Sequence, residues 1–134
     1  MTLTFKPSWQ GQLLTESIAE STVGHFLHRL NRRFITRRKA SERLRVIAVR
    51  EGGIGLGNKR LHYHLKVEAP TGVDPDQFCI SCLHIWRKLD WASLSQNRAT
   101  ARSDEHWISY ILKLRDKADY ATAIDINNTY LRSP

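Results

Sequence analysis

Apolar and polar positions alternate along some stretches of this chain and recur at three-four spacing along others. Residues 2–6 set Leu3 and Phe5 on one side of an extended segment and Thr2, Thr4 and Lys6 on the other, the period-two pattern of a half-buried strand. Pro7 ends it, and the chain to about residue 17 reads as a connection. Over 17–34, Val23, Phe26, Leu27, Leu30 and Phe34 form one stripe of an amphipathic helix, with Arg29, Arg32 and Arg33 mostly off it. Residues 45–51 carry Val46, Ile47 and Val49 at both parities, as in a central strand covered on both faces. Residues 61–68 alternate strictly, with Leu61, Tyr63, Leu65 and Val67 on one face and His62, His64, Lys66 and Glu68 on the other. Asp74 and Asp76 suit the positive end of a helix that Phe78, Cys82, Ile85, Trp86 and Leu89 carry inward. A weaker polar strand over 91–101 and a helix over 103–117, capped by Ser103, complete the pattern.

The glycine run at 52–58 is a hairpin connection and not a phosphate-binding loop, because such a loop must open a helix and residues 61 onward form a strand. The predicted order is β-α-β-β-α-β-α within a single domain spanning 1–134. Paired middle strands and interspersed helices predict an α+β sandwich: an antiparallel sheet of about four to five strands with helices packed on one face. The other face is left partly open, and alternation assigns it Thr2, Thr4, His62 and His64.

Composition changes this picture in one respect, the charge. Twenty-one Lys and Arg against thirteen Asp and Glu give +8, and the pI is about 9.9. The excess is local: +9 through Val67 and −1 beyond it. Its densest part, 29–50, holds Arg29, Arg32, Arg33, Arg37, Arg38, Lys39, Arg43, Arg45 and Arg50 against Glu42 alone. An anionic partner follows, and nucleic acid is favoured over a membrane surface because no Trp- or Leu-rich amphipathic face accompanies the charge. No apolar run is long enough to span a bilayer and the first residues lack signal-peptide order, so a cytoplasmic, non-secreted protein with no membrane partner is expected. Cys79 and Cys82 lack a second pair at zinc-site spacing and read as one helix face.

His62-Tyr63-His64 sets two imidazoles on one strand face, roughly 6.6 Å apart along the backbone, close enough to share a metal ion. Glu68 lies roughly 13 Å from His64 along the strand, too far for a third ligand. A hairpin centred near Leu56 and Gly57 lays Glu51 opposite about His62. Simple alternation gives Glu51 the parity of Ile47 and Val49, which leaves open whether a bulge turns it. Tyr110 and Lys113 share a face of the last predicted helix. A phenol becomes a useful nucleophile when a metal polarises its electrophile, and a nearby ammonium stabilises developing charge on a phosphate.

Together these residues resemble the HUH endonuclease family, in particular the nicking domains of rolling-circle replication initiators. The family's three motifs look like Thr2-Leu3-Thr4-Phe5, His62-Tyr63-His64 and Tyr110-Ile111-Leu112-Lys113, in that order. Related single-domain transposases typically place Gln four residues after the tyrosine, and here Leu114 stands there, which favours the initiator branch. The resemblance implies a ferredoxin-like, RRM-like sheet and an Mg²⁺ or Mn²⁺ ion on His62, His64 and Glu51. It further implies attack by Tyr110 on single-stranded origin or hairpin DNA, a 5′-phosphotyrosine intermediate, and Lys113 as a positioning residue. Any helicase would be a separate host protein. Arg29, Arg32, Arg33, Arg37, Arg38 and Lys39 would track the DNA backbone, and Trp9, in a connection, could stack on an unpaired base. The alternatives are a non-catalytic RRM-like module for single-stranded nucleic acid, which exposed sheet aromatics would favour, and a single-domain HUH transposase.

Overall fold

In a computed structural model, residues 1–35, 42–53, 60–101 and 123–131 are described. The alternating segments pair as the hydrophobic pattern requires. Strands β1 (Thr2–Thr4), β4 (Val46–Glu51) and β5 (His62–Val67) form an antiparallel sheet in the order β1-β5-β4. The intervening chain forms a small hairpin, β2 (Ser8–Trp9) with β3 (Gln12–Leu13), turned by Gln10 and Gly11 at φ +48° and +77°. That hairpin replaces the expected plain connection. Two-residue strands are too short to carry a period, so the sequence held no signal for them.

Helix α1 (Glu16–Phe34) starts at Thr15, whose hydroxyl accepts from the Ile18 amide at 3.1 Å. Helix α2 (Pro75–Arg87) is capped by Asp74, which accepts from the Gln77 amide at 3.0 Å, with Pro75 supplying a preset first turn. Both helices lie against one face of the sheet. Leu3, Tyr63 and Leu65 from the strands meet Val23, Phe26 and Leu30 of α1 and Phe78, Cys82 and Trp86 of α2 in one core. Trp86 stacks edge-on against Phe5 and Phe26, with centroids 5.3 and 5.5 Å away. The architecture is thus α+β, a small antiparallel sheet with two helices among the described residues, and none of their helices is long and apolar enough to cross a membrane.

Among the described residues the main sheet has three regular strands, where about four to five are expected. The polar segment 91–101 makes only isolated bridges, Thr2 of β1 with Arg98 and Phe5, just after β1, with Ala92, so it edges the sheet without forming a regular strand. On the opposite edge Ile124 and Tyr130 bridge Val49 and Val46 of β4. The last predicted helix, over 103–117, and most of the glycine run lie outside the described residues.

Asn97 explains why 91–101 departs from a ladder. Its Oδ1 accepts from the Thr4 amide at 2.9 Å, the Thr4 hydroxyl at 2.9 Å and the Trp86 indole N–H at 3.1 Å, while its Nδ2 donates to the Ser93 carbonyl. One side chain does work that backbone pairing would do in a strand. Asn97→Ala strands the Trp86 and Thr4 donors, each worth about 1–3 kcal/mol when left unpaired, so the variant should lose about 2–4 kcal/mol in urea denaturation. A loss under about 0.5 kcal/mol would remove Asn97 as the tie between core and edge.

Candidate metal centre

The register of the β4–β5 hairpin builds the site. Glu51 pairs with His62, Val49 with His64 and Ile47 with Lys66 in an unbroken antiparallel run, so no bulge intervenes. Paired residues share a face, and Glu51 therefore points to the histidine side together with Ile47 and Val49. The parity that looked like an obstacle is the parity of the site face, which is partly apolar: Val49 is only 1% exposed and belongs to no part of the helix-side core. On the other flank β1 pairs Thr2 with His64 and Thr4 with His62.

Both imidazoles turn Nε2 toward the same carboxylate oxygen. Glu51 Oε2 lies 3.1 Å from His62 Nε2 and 2.9 Å from His64 Nε2, and the three ligand atoms all fall within 4.8 Å of one another. The rings stand nearly perpendicular, centroids 4.9 Å apart. Two donors in adjacent positions on an octahedral ion, each about 2.1 Å from it, sit roughly 3 Å apart, so the observed spacings suit a single small cation.

The outer nitrogens are also held. His62 Nδ1 lies 2.8 Å from the Arg60 carbonyl, which only accepts, so Nδ1 carries the proton. In the neutral ring Nε2 is then a lone pair facing a carboxylate oxygen, a contact that attracts only when a proton or a cation stands between them. His64 Nδ1 lies 3.2 Å from the Thr2 hydroxyl, which can donate or accept and so tolerates either tautomer. Burial holds the His64 imidazole below the ordinary histidine range; the hydrogen bond and charge of Glu51 oppose that shift, and neighbouring His62 adds to it. Two imidazole nitrogens and one carboxylate oxygen, all on half-buried side chains, make a mixed donor set that could hold one metal ion. A divalent cation fits this donor set.

Other expected site residues fall elsewhere. Arg29, Arg32 and Arg33 are exposed on α1, in the helical layer, whereas the triad occupies the opposite face of the sheet. Trp9 sits half-buried in β2 with the Lys6 ammonium 4.2 Å above its ring. Tyr110, Lys113, Arg37, Arg38 and Lys39 lie outside the described residues. Arg98 had not been singled out in the sequence: its bridge to Thr2 sets an exposed cation on the triad face, and no periodicity could have placed it. The support of His62 by the Arg60 carbonyl was equally invisible, since a backbone group leaves no mark in a sequence. Comparisons with protein-family models, curated proteins and solved structures find no match to this chain.

Three outcomes test the centre. At a hundredfold excess over its dissociation constant, Mn²⁺ should stabilise the fold by about 2.7 kcal/mol, a rise in Tm on the order of 10 °C, and His62→Ala or Glu51→Gln should abolish the shift. Protons compete for the imidazoles, so the shift should shrink as pH falls; with His64 held below the usual histidine value of about 6.5, it should persist at neutral pH and vanish only on acidification. An undiminished shift in either variant places the ion elsewhere. Thr2→Val, which removes the support of His64, should weaken Mn²⁺ roughly tenfold by calorimetry, and unchanged affinity would show that the hydroxyl does not orient the ring.

Proposed function

We propose that the chain is a metal-dependent endonuclease that nicks and rejoins single-stranded DNA through a covalent 5′-phosphotyrosine link on Tyr110, after the manner of HUH replication initiators. The observation that carries this reading is the convergence of Glu51, His62 and His64 within 4.8 Å on the side of an antiparallel sheet opposite helices α1 and α2. The α+β layering is compatible with the ferredoxin-like, RRM-like frame and β-α-β-β-α-β-α order that such enzymes use. Mg²⁺ or Mn²⁺ held there would supply Lewis-acid polarisation of a scissile phosphodiester.

The tyrosines support the assignment by elimination. The chain has four. Tyr63, between the two histidines, points into the core and donates to Asp125 at 2.9 Å; burial, reinforced by the Asp125 charge, pushes its phenol far above the ordinary range. Tyr130 pairs with Val46, whose side chain belongs to the helix-side core, and so faces away from the triad. Tyr110 and Tyr120 remain, both outside the described residues; of these two Tyr110 carries the Tyr-x-x-Lys spacing, which Tyr63 shares with Lys66 but from a buried position. Attack by Tyr110 Oη on phosphorus breaks the bond to the 3′ oxygen and exchanges one phosphodiester for another. A 3′-hydroxyl attacking the phosphotyrosine reverses it and joins strands. Lys113, three residues on in the sequence, would orient the phosphate. The triad face gives a binding-only reading little support, because strands β1, β4 and β5 turn Thr, His, Lys, Ile, Val and Glu to it and no Phe, Tyr or Trp.

The test is chemical. With Mn²⁺ and oligonucleotides tiled across the origin of its own replicon, the protein should form a denaturant-resistant DNA adduct that Tyr110→Phe abolishes and Tyr120→Phe retains. His64→Ala should bind the oligonucleotide without cleaving it. An adduct that survives Tyr110→Phe, or DNA and Mn²⁺ binding with no adduct on any strand, rejects the assignment, the second outcome in favour of a binding module.

A further inference from the structure

Helix α1 turns its outer side to solvent along nearly its whole length. Val23, Phe26 and Leu30 face the sheet at 0% exposure, while Ser17, Ser21, His25, His28, Arg29 and Arg32 are exposed. The outer side holds hydrogen-bonding and cationic groups without an apolar member among these six. The helix's acids are engaged at its margins: Glu16 pairs with Arg50 at 3.9 Å and Glu20 accepts from Asn127 at 2.6 Å.

A groove runs along each flank. One, of about 670 Å³, lies between α1 and residues 88–91 and is lined by His25, Arg29 and Lys88, with Asp90 the acid. The other, of about 650 Å³, lies between α1 and the segments 42–46 and 127–130 and is lined by Arg32, Arg43 and Asn127, with Glu42 the acid. His28 borders both. The helix is a ridge between two troughs in which cations outnumber acids.

We propose that α1 docks in the major groove of double-stranded DNA, with the troughs receiving the two phosphate backbones. A helix with its side chains is about 10–12 Å across, and the major groove of B-form DNA is about 12 Å wide. The exposed ridge from Ser17 to Arg32 is about 22 Å long, enough to lie along several base pairs. Ser21, His25, His28 and Arg32 offer hydrogen-bonding groups to base edges, and Arg29, Lys88 and Arg43 offer positive charge to phosphates. An A-form RNA duplex has too narrow a major groove to admit the ridge. A single strand needs stacking platforms, and Trp91 and Tyr130, the aromatics lining the troughs, are both half-buried. The ridge lies in the layer opposite the Glu51, His62 and His64 triad, so this surface is separate from the candidate metal centre and the inference does not rest on the nicking reading.

Anisotropy titrations in EDTA separate the two. A labelled duplex of about 20 base pairs should bind more tightly than either of its strands, with an affinity that falls steeply with salt. Reversing Arg29 and Arg32 to Glu should weaken duplex binding at least about tenfold at about 100 mM salt and flatten the salt slope. Reversing Arg43 and Lys88 to Glu tests the troughs without altering the helix and should do the same. Arg98→Glu changes charge on the other face and should cost less than about threefold. Wild-type protein that binds single strands better than duplex, a double variant of either kind that binds duplex like wild type, or an equal loss in Arg98→Glu would overturn the proposal.

Discussion

The register of one hairpin governs the rest of the molecule. Because side chains alternate strictly along a strand, a slip of one residue between β4 and β5 would send Glu51 to the helix side and Ala48 to the open side. The helical layer forbids that slip. Tyr63 and Leu65 are wholly enclosed on β5 and Ala48 on β4, and all three must face Phe26, Leu30 and Trp86 at once. Core burial on one face thus fixes ligand geometry on the other. The glycine-containing link need not be rigid for this, since packing and not the turn sets the pairing.

On the face away from α1 and α2 the same register crowds three polar side chains together. Two imidazole nitrogens converge on one carboxylate oxygen, and the Arg60 carbonyl keeps the proton of His62 on its far side. The His62 Nε2–Glu51 Oε2 contact attracts when a proton or a cation stands between the two atoms. Side chains free to move would rotate apart. Here backbone pairing and outer-nitrogen contacts hold them together, so much of the ordering cost of capturing a cation is met during folding. The three-strand platform is therefore an instrument of preorganisation as much as a support.

What the sequence disclosed was whatever depended on period and burial. The alternation at 61–68, the stripe at 17–34 and the Asp74 cap all reappear, and a hairpin centred near Leu56 and Gly57 correctly set Glu51 against His62. The parity of Glu51 was ambiguous because Ile47 and Val49 were read as one half of a covered strand, whereas the site face itself buries an apolar residue at Val49. Segment 91–101 was read as a strand on composition. Its Asn97 diverts the Thr4 amide to a side chain, and no period records such an exchange. Charge was the least legible feature. A count along the chain shows how many arginines there are and nothing about which layer they occupy.

That distinction changes the meaning of the positive first half. Its residues divide between two sides of one sheet: the triad, with Lys66 beside it, on one face, and Arg29, Arg32 and Arg43 on or beside the helix that covers the other. The packed core of the molecule stands between the two groups of charges. A single polyanion reaching both would have to be long enough to round an edge of the sheet. The edges are lined by backbone bridges, Thr2 with Arg98 and Val49 with Ile124, which engage groups that would otherwise pair with an incoming strand. Contact around either edge would therefore be made by side chains and phosphates. One basic composition accordingly describes two surfaces with different chemistry, a carboxylate-bearing face suited to a cation and a helical ridge suited to a polyanion.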